Sequence, residues 1–257
     1  MSEQVTGAQV LIVDDDPVMG ELLDALLTVE GYRVTRAHSG EEALQVAREG
    51  TPKPDVVLCD IQMPGMRGGE LAKALAAERT EGALPGSCVI LAMSGSSPHA
   101  NELQWFDGLL HKPFSVADFT QAVAQARRQT AGQIRTEAKQ PSIDSPARVP
   151  PLDDNIFGQL KSKVGSELLR QMYDMTLDDV RTRLGRIAAA AERDDQPAIR
   201  HEAHTIKGSC GMMGALELQA LAAATEGGSP VDTSALADFD SACNRLQRML
   251  NERLQAP

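Results

Sequence analysis

The residues best placed to do chemistry fall into two groups. In the first, Asp60 closes the apolar run Val56, Val57, Leu58, and Pro64 and Gly65 follow close behind, so its carboxylate stands at the carboxyl end of a strand. Asp14 and Asp15 follow the run Val10 to Val13, Ser94 follows Cys88 to Met93, and Lys112 follows Leu109 and Leu110. Each is ordinary alone, since a single Asp after a strand is more often a turn or cap residue. Asp16 before Pro17 reads as an N-cap, which leaves Asp14 and Asp15 unexplained by capping. Three carboxylates at one sheet edge repel one another unless a hard divalent cation lies among them. Octahedral Mg2+ suits one or two carboxylates plus phosphate oxygens and water. Such a cation also neutralises a transferring phosphoryl group, while Lys112 offers a point charge and Ser94 a hydroxyl donor. Asp60 is left as the nucleophile, and its product is an acyl phosphate.

The second group is A-H-T-I-K-G-S, Ala203 to Ser209. His204 and Lys207 are three apart, hence neighbours on one helix face, while Ile206 points into a core. A neutral imidazole nitrogen is a competent nucleophile, and a phosphoryl group on it would meet the Lys207 ammonium. Gly208 costs about 1 kcal/mol relative to Ala in a helix; its use would be to clear the surface beside His204 for a partner. Other readings of the stretch are weaker. H-E-A-H, His201 to His204, is one residue short of the H-E-x-x-H zinc motif, and K-G-S reverses the phosphate-loop order. His201 is expected on the exposed face.

These residues need elements to position them. Residues 7 to 130 alternate apolar strand runs with helical stripes: five strands and about five helices, read as a doubly wound parallel sheet. All of the first group then fall just after strand ends, the edge where open α/β sheets place their sites. Residues 131 to 151 are polar, carry four prolines and read as a tether with an r.m.s. span of roughly 25 Å. From 152 to 257 only helical periodicity remains, with apolar stripes that break between Val164 and Leu168, and the expected fold is an all-α helical bundle.

Strand-end Asp14, Asp15, Asp60, Ser94 and Lys112, in that order along residues 7 to 130, resemble the flavodoxin-like receiver domain of two-component response regulators. The resemblance implies phosphorylation of Asp60, with Mg2+ held by Asp15, Asp60, the Gln62 backbone carbonyl and, through water, Asp14. It also implies a cis Lys112-Pro113 bond. Three positions depart from the pattern: Leu109 stands where an aromatic residue is usual, the fourth helix between Ser94 and Leu109 looks truncated, and Arg67 replaces a common Asp or Asn. A receiver of this kind is expected to pass phosphate rather than remodel an output face strongly. Residues 152 to 226 resemble a histidine phosphotransfer domain, with the signature at Ala203 to Ser209 and an Arg-Asp-Asp turn at 193 to 195. That implies His204 as the phosphate carrier, supported by Lys207 and Gly208.

Composition narrows the class. A net charge of -11 over 257 residues, with no basic run, argues against nucleic acid as a partner. No apolar span long enough for a membrane and no signal-peptide pattern occurs, so a cytoplasmic protein is expected. Cys59, Cys88, Cys210 and Cys243 are scattered and read as small buried hydrophobes. No ATP-binding kinase region is recognisable. The chain therefore reads as an intermediate of a multistep phosphorelay, fed by a separate sensor histidine kinase and discharging to a downstream response regulator receiver. The alternatives are a phosphorylation-gated binding regulator and a phosphate sink for a kinase.

Overall fold

The structure is a computed structural model that describes residues 7–95, 98–129 and 149–255. The chain divides near residue 140 into two compact units. The linker expected over 131 to 151 lies, up to residue 148, outside the described residues.

The first unit runs β1 (Gln9–Val13), α1 (Pro17–Val29), β2 (Arg33–Ala37), α2 (Gly40–Glu49), β3 (Val56–Asp60), α3 (Gly68–Glu81), β4 (Val89–Ser94), β5 (Gly108–His111) and α4 (Val116–Gln129). The five strands form one sheet in the order β2-β1-β3-β4-β5, and every pairing is parallel. Strands β3 and β4 are buried along their whole length, which is why their sequences are continuous apolar runs rather than alternations. Side chains still alternate between faces. Leu11, Val13, Val57, Cys59 and Ile90 share one core with Ala43 and Ala47 of α2 and Leu71 and Leu75 of α3. The opposite face is covered by α1, which packs on β1 and β2, and by α4, which packs on β4 and β5.

Local signals set the helix starts. Asp16 caps α1 by accepting from Val18 N–H at 3.1 Å, with Pro17 in the first turn. Ser39 caps α2 through Glu42 N–H, and the Glu42 carboxylate returns to His38 N–H.

One expected element is absent. Among the described residues between β4 and β5 there are only turns and no helix, so the fourth helix expected in shortened form is replaced by irregular chain and the unit has four helices instead of about five. Hydrogen bonds hold this segment in place of a helix. Asp107 Oδ2 accepts from Ile90 N–H at 2.8 Å and from Arg79 Nη1 at 2.7 Å, and Phe106 packs on the α2–α3 core.

The second unit is all helical: α5 (Asp154–Ala191), α6 (Gln196–Met212), α7 (Leu216–Glu226) and α8 (Thr233–Gln255). Gly165, with φ 77° and ψ 169°, breaks α5 into two helices, at the place where the apolar stripe changes. α6 packs against α5 and α7, and α8 against α5 and α7. The buried Tyr173 hydroxyl donates to the Met213 carbonyl at 2.7 Å, tying α5 to the turn after α6. All four cysteines are free and buried. Burial pushes their thiols up, to about 12 for Cys88 and about 11 for Cys243.

Candidate functional site

The carboxyl edge of the sheet gathers the first group. Asp14 follows β1, Asp60 ends β3, Ser94 ends β4 and Lys112 follows β5, so four adjacent strands deliver them to one place. The Lys112 ammonium lies 2.7 Å from Asp60 Oδ2 and 3.0 Å from Asp14 Oδ2. All three side chains are at least 94% buried (6% or less exposed). Carboxylate oxygens of Asp14, Asp15 and Asp60 lie within 4.8 Å of one another, an arrangement able to hold a metal ion. Gln62 N–H donates to Asp60 Oδ1 at 2.9 Å, which places the Gln62 backbone at the cluster, while its side chain is exposed. The Ser94 carbonyl accepts from Lys112 N–H at 2.7 Å, and Ser94 itself is buried. The Lys112-Pro113 bond is cis.

The electrostatics follow from burial and proximity. Burial pushes the Asp14 carboxyl up against the pull of Lys112, and Asp60 adds to the rise. Burial alone would lower Lys112, but the two carboxylates more than offset it and hold the ammonium charged. One close approach is built into the backbone. A Cβ on Gly68 would stand 2.7 Å from Ile61 Cα and 2.8 Å from the Asp60 carbonyl oxygen, so only glycine lets α3 start this close to the end of β3.

The second group lies in the helical unit. His204 and Lys207 share one face of α6, and both reach the same partner: Glu226, the last residue of α7. His204 Nδ1 is 2.6 Å from Glu226 Oε1 and Lys207 Nζ is 2.5 Å from Glu226 Oε2. Burial pushes the Glu226 carboxyl up, but hydrogen bonds from Lys207 and His204 outweigh it and hold the group below its ordinary value. An ionised carboxylate only accepts, so Nδ1 carries the ring proton and Nε2 of a neutral ring keeps its lone pair. Gly208 is buried within α6, and His201 is exposed as expected. Sequence reasoning did not find Glu226, which stands 22 positions beyond His204 on another helix. No spacing rule links the two, and only the packing of α6 on α7 does.

The profile of the response regulator receiver domain family matches residues 10–124, and that of the Hpt domain family matches residues 171–256. The chain joins a receiver domain to an Hpt domain. The uncharacterised transcriptional regulatory protein YrkP of Bacillus subtilis is 32% identical over 137 residues, 51% of this chain and 55% of YrkP. The virulence sensor protein BvgS of Bordetella pertussis is 28% identical over 221 residues, 80% of this chain but 17% of BvgS. Among solved structures, the chemotaxis protein CheY4 of Vibrio cholerae is 27% identical and covers 47% of this chain and 99% of its own, with a TM-score of 0.41. The chain spans about half the length of the curated relatives it first matches. Within the receiver, Leu109 is half-buried on β5, and Arg67 is exposed at the start of α3 without capping it. No helix of the described residues is long and apolar enough to cross a membrane.

Proposed function

We propose that this protein is an intermediate of a multistep phosphorelay that accepts phosphate on Asp60 and carries or transfers it on His204. The observation that carries the reading is that one chain holds two nucleophiles of the kinds that take phosphate: Asp60 with the Lys112 ammonium at 2.7 Å, and His204 on the same face of α6 as Lys207, both of them reaching Glu226. A divalent cation fits the first site by donor chemistry and by charge. All the donors are hard oxygens, and three carboxyl groups face one ammonium, so a cation among them would favour the ionised form of Asp14 that burial disfavours. Asp14, Asp15, Asp60 and the Gln62 carbonyl are the residues that would hold Mg2+. When bound, Mg2+ supplies neutralisation of the phosphoryl oxygens.

The chain's own residues do the rest. An Asp60 carboxylate oxygen forms a bond to phosphorus as the bond to the donor's leaving group breaks. Lys112 meets charge on the transferred group, and Ser94 offers a hydroxyl to another of its oxygens. In the Hpt domain, Nε2 of His204 forms the N–P bond while an aspartyl carboxylate leaves, and Glu226 keeps the proton on Nδ1 throughout. The donor is a separate sensor histidine kinase and the final acceptor another receiver. The irregular segment before β5, together with Leu109, supports a receiver that passes phosphate rather than one that reshapes a helix on that face.

The test loads the whole chain with a small phosphodonor and Mg2+, and compares wild type, Asp60→Asn and His204→Gln. Acid-stable phosphate lost in Asp60→Asn is expected, along with base-stable phosphohistidine that disappears in either variant. A wild-type chain that takes no acid-stable phosphate would overturn the reading.

A further inference from the structure

Beside the acidic cluster the receiver has a cavity of about 340 Å³. Gln62, Ser94, Arg67, His99 and Glu102 are among the residues that line it. The same Gln62 donates its N–H to Asp60, and the same Ser94 accepts from Lys112 N–H, so the cavity begins where the backbone of the cluster ends. A phosphoryl group seated on Asp60 therefore has this space next to it.

We propose that this cavity takes the leaving group of a small acyl phosphate donor, and that Arg67 sets a preference for leaving groups that depart as carboxylates. The proposal rests on Asp60 being the acceptor. Size is the first argument. A volume of about 340 Å³ is on the order of ten waters at about 30 Å³ of liquid volume each, which leaves room for a small acyl group with its hydration, whereas a helix of about 10 Å diameter does not enter. Charge is the second. Arg67 occupies the N-cap position of α3 but gives the helix no side-chain cap, so its guanidinium is not explained by holding the helix start. A planar fork of N–H donors that never loses its charge matches a carboxylate. Glu102 works in the opposite sense: its carboxylate accepts His99 N–H at 2.8 Å, which fixes it within the turn and adds a negative charge to the lining.

The step balances without a proton. Asp60 forms the new O–P bond, the bond between phosphorus and the acyl oxygen breaks, and the electron pair leaves on a carboxylate that Arg67 meets and Glu102 repels. Phosphoramidate reacts with its nitrogen protonated, so the P–N bond breaks and ammonia departs; that leaving group starts cationic, and Arg67 and Glu102 act on it in the opposite sense. Leaving-group charge, and not phosphoryl chemistry, is what these two residues distinguish.

The experiment measures Asp60 phosphorylation of the full chain, with Mg2+ present, by acetyl phosphate and by phosphoramidate, and reads the ratio of the two rates. Arg67→Gln should lower the ratio roughly three- to fivefold, the size of effect an exposed charge pair gives. Glu102→Gln, which keeps an acceptor for His99 N–H, should raise it. Taking the ratio cancels any general loss of folding or metal affinity in a variant. A wild type phosphorylated by both donors, with a ratio unchanged in both variants, overturns the role of Arg67 and leaves Asp60 as acceptor. A wild type phosphorylated by neither overturns the Asp60 reading, and this proposal with it.

Discussion

At the scale of single residues, the two stations were legible to different degrees. Asp14, Asp60, Ser94 and Lys112 could be read because each ends or follows an apolar run, so one rule about strand ends places all four at a common edge. His204 and Lys207 could be paired by helical spacing. Glu226 could not, since its meeting with both depends on the register of two helices. It carries a sharp prediction. Glu226→Gln keeps an oxygen to accept from Nδ1, whereas Glu226→Ala does not, so phosphotransfer to His204 should fall more in the alanine variant, by about tenfold relative to glutamine. Nitrogen chemical shifts of the ring would report the tautomer directly. Equal rates in the two variants would refute the role given to the carboxylate. The same group sets a pH dependence. Its folded pKa lies below the ordinary value of about 4.5, so its stabilisation is complete above that value and is lost as pH falls through the lowered one. The stability difference between wild type and Glu226→Gln should therefore close as solutions are acidified below about pH 4.5, as followed by denaturant midpoints.

At the scale of elements, the sheet and the helices that flank it follow from continuous apolar runs and from caps that the sequence displays, such as Asp16 with Pro17 and Ser39 with Glu42. The stretch between β4 and β5 has no such signals, and only its shortness hinted that a helix would be compromised. What holds it is tertiary: Asp107 ties the entry of β5 to Ile90 of β4 and to Arg79 of α3. Asp107→Ala leaves the Ile90 N–H and the Arg79 guanidinium without this acceptor and should destabilise the receiver by about 1–3 kcal/mol. Asp107→Asn should recover part of that, because an amide oxygen still accepts. Trp105, the only tryptophan in the chain, lies within the segment and makes urea unfolding of this domain visible by fluorescence. Indistinguishable midpoints for the two variants would show that the hydrogen bond to Ile90 is not what anchors the segment.

At the scale of the whole molecule, the two domains are expected to differ in their need for metal. The carboxylate cluster of Asp14, Asp15 and Asp60 is the only such group among the described residues, and none lies at His204. On the proposed function, a chelator should abolish loading of Asp60, yet leave phosphate already on His204 in place, since its return to Asp60 would need the cation proposed for the carboxylate cluster. Retained phosphohistidine, read on base-treated protein over time, checks this; Asp60 loading that persists in chelator contradicts it. The buried thiols bear on how such a two-domain chain can be observed. All four native cysteines are shielded and held protonated at neutral pH, so they compete poorly for maleimide dyes. Cysteines introduced at exposed Val29 and Asp240, one in each domain, can carry a donor and acceptor fluorophore in an otherwise native sequence. Energy transfer between them would then follow the separation of the domains through each step of phosphate loading, without first stripping the protein of its own sulfur.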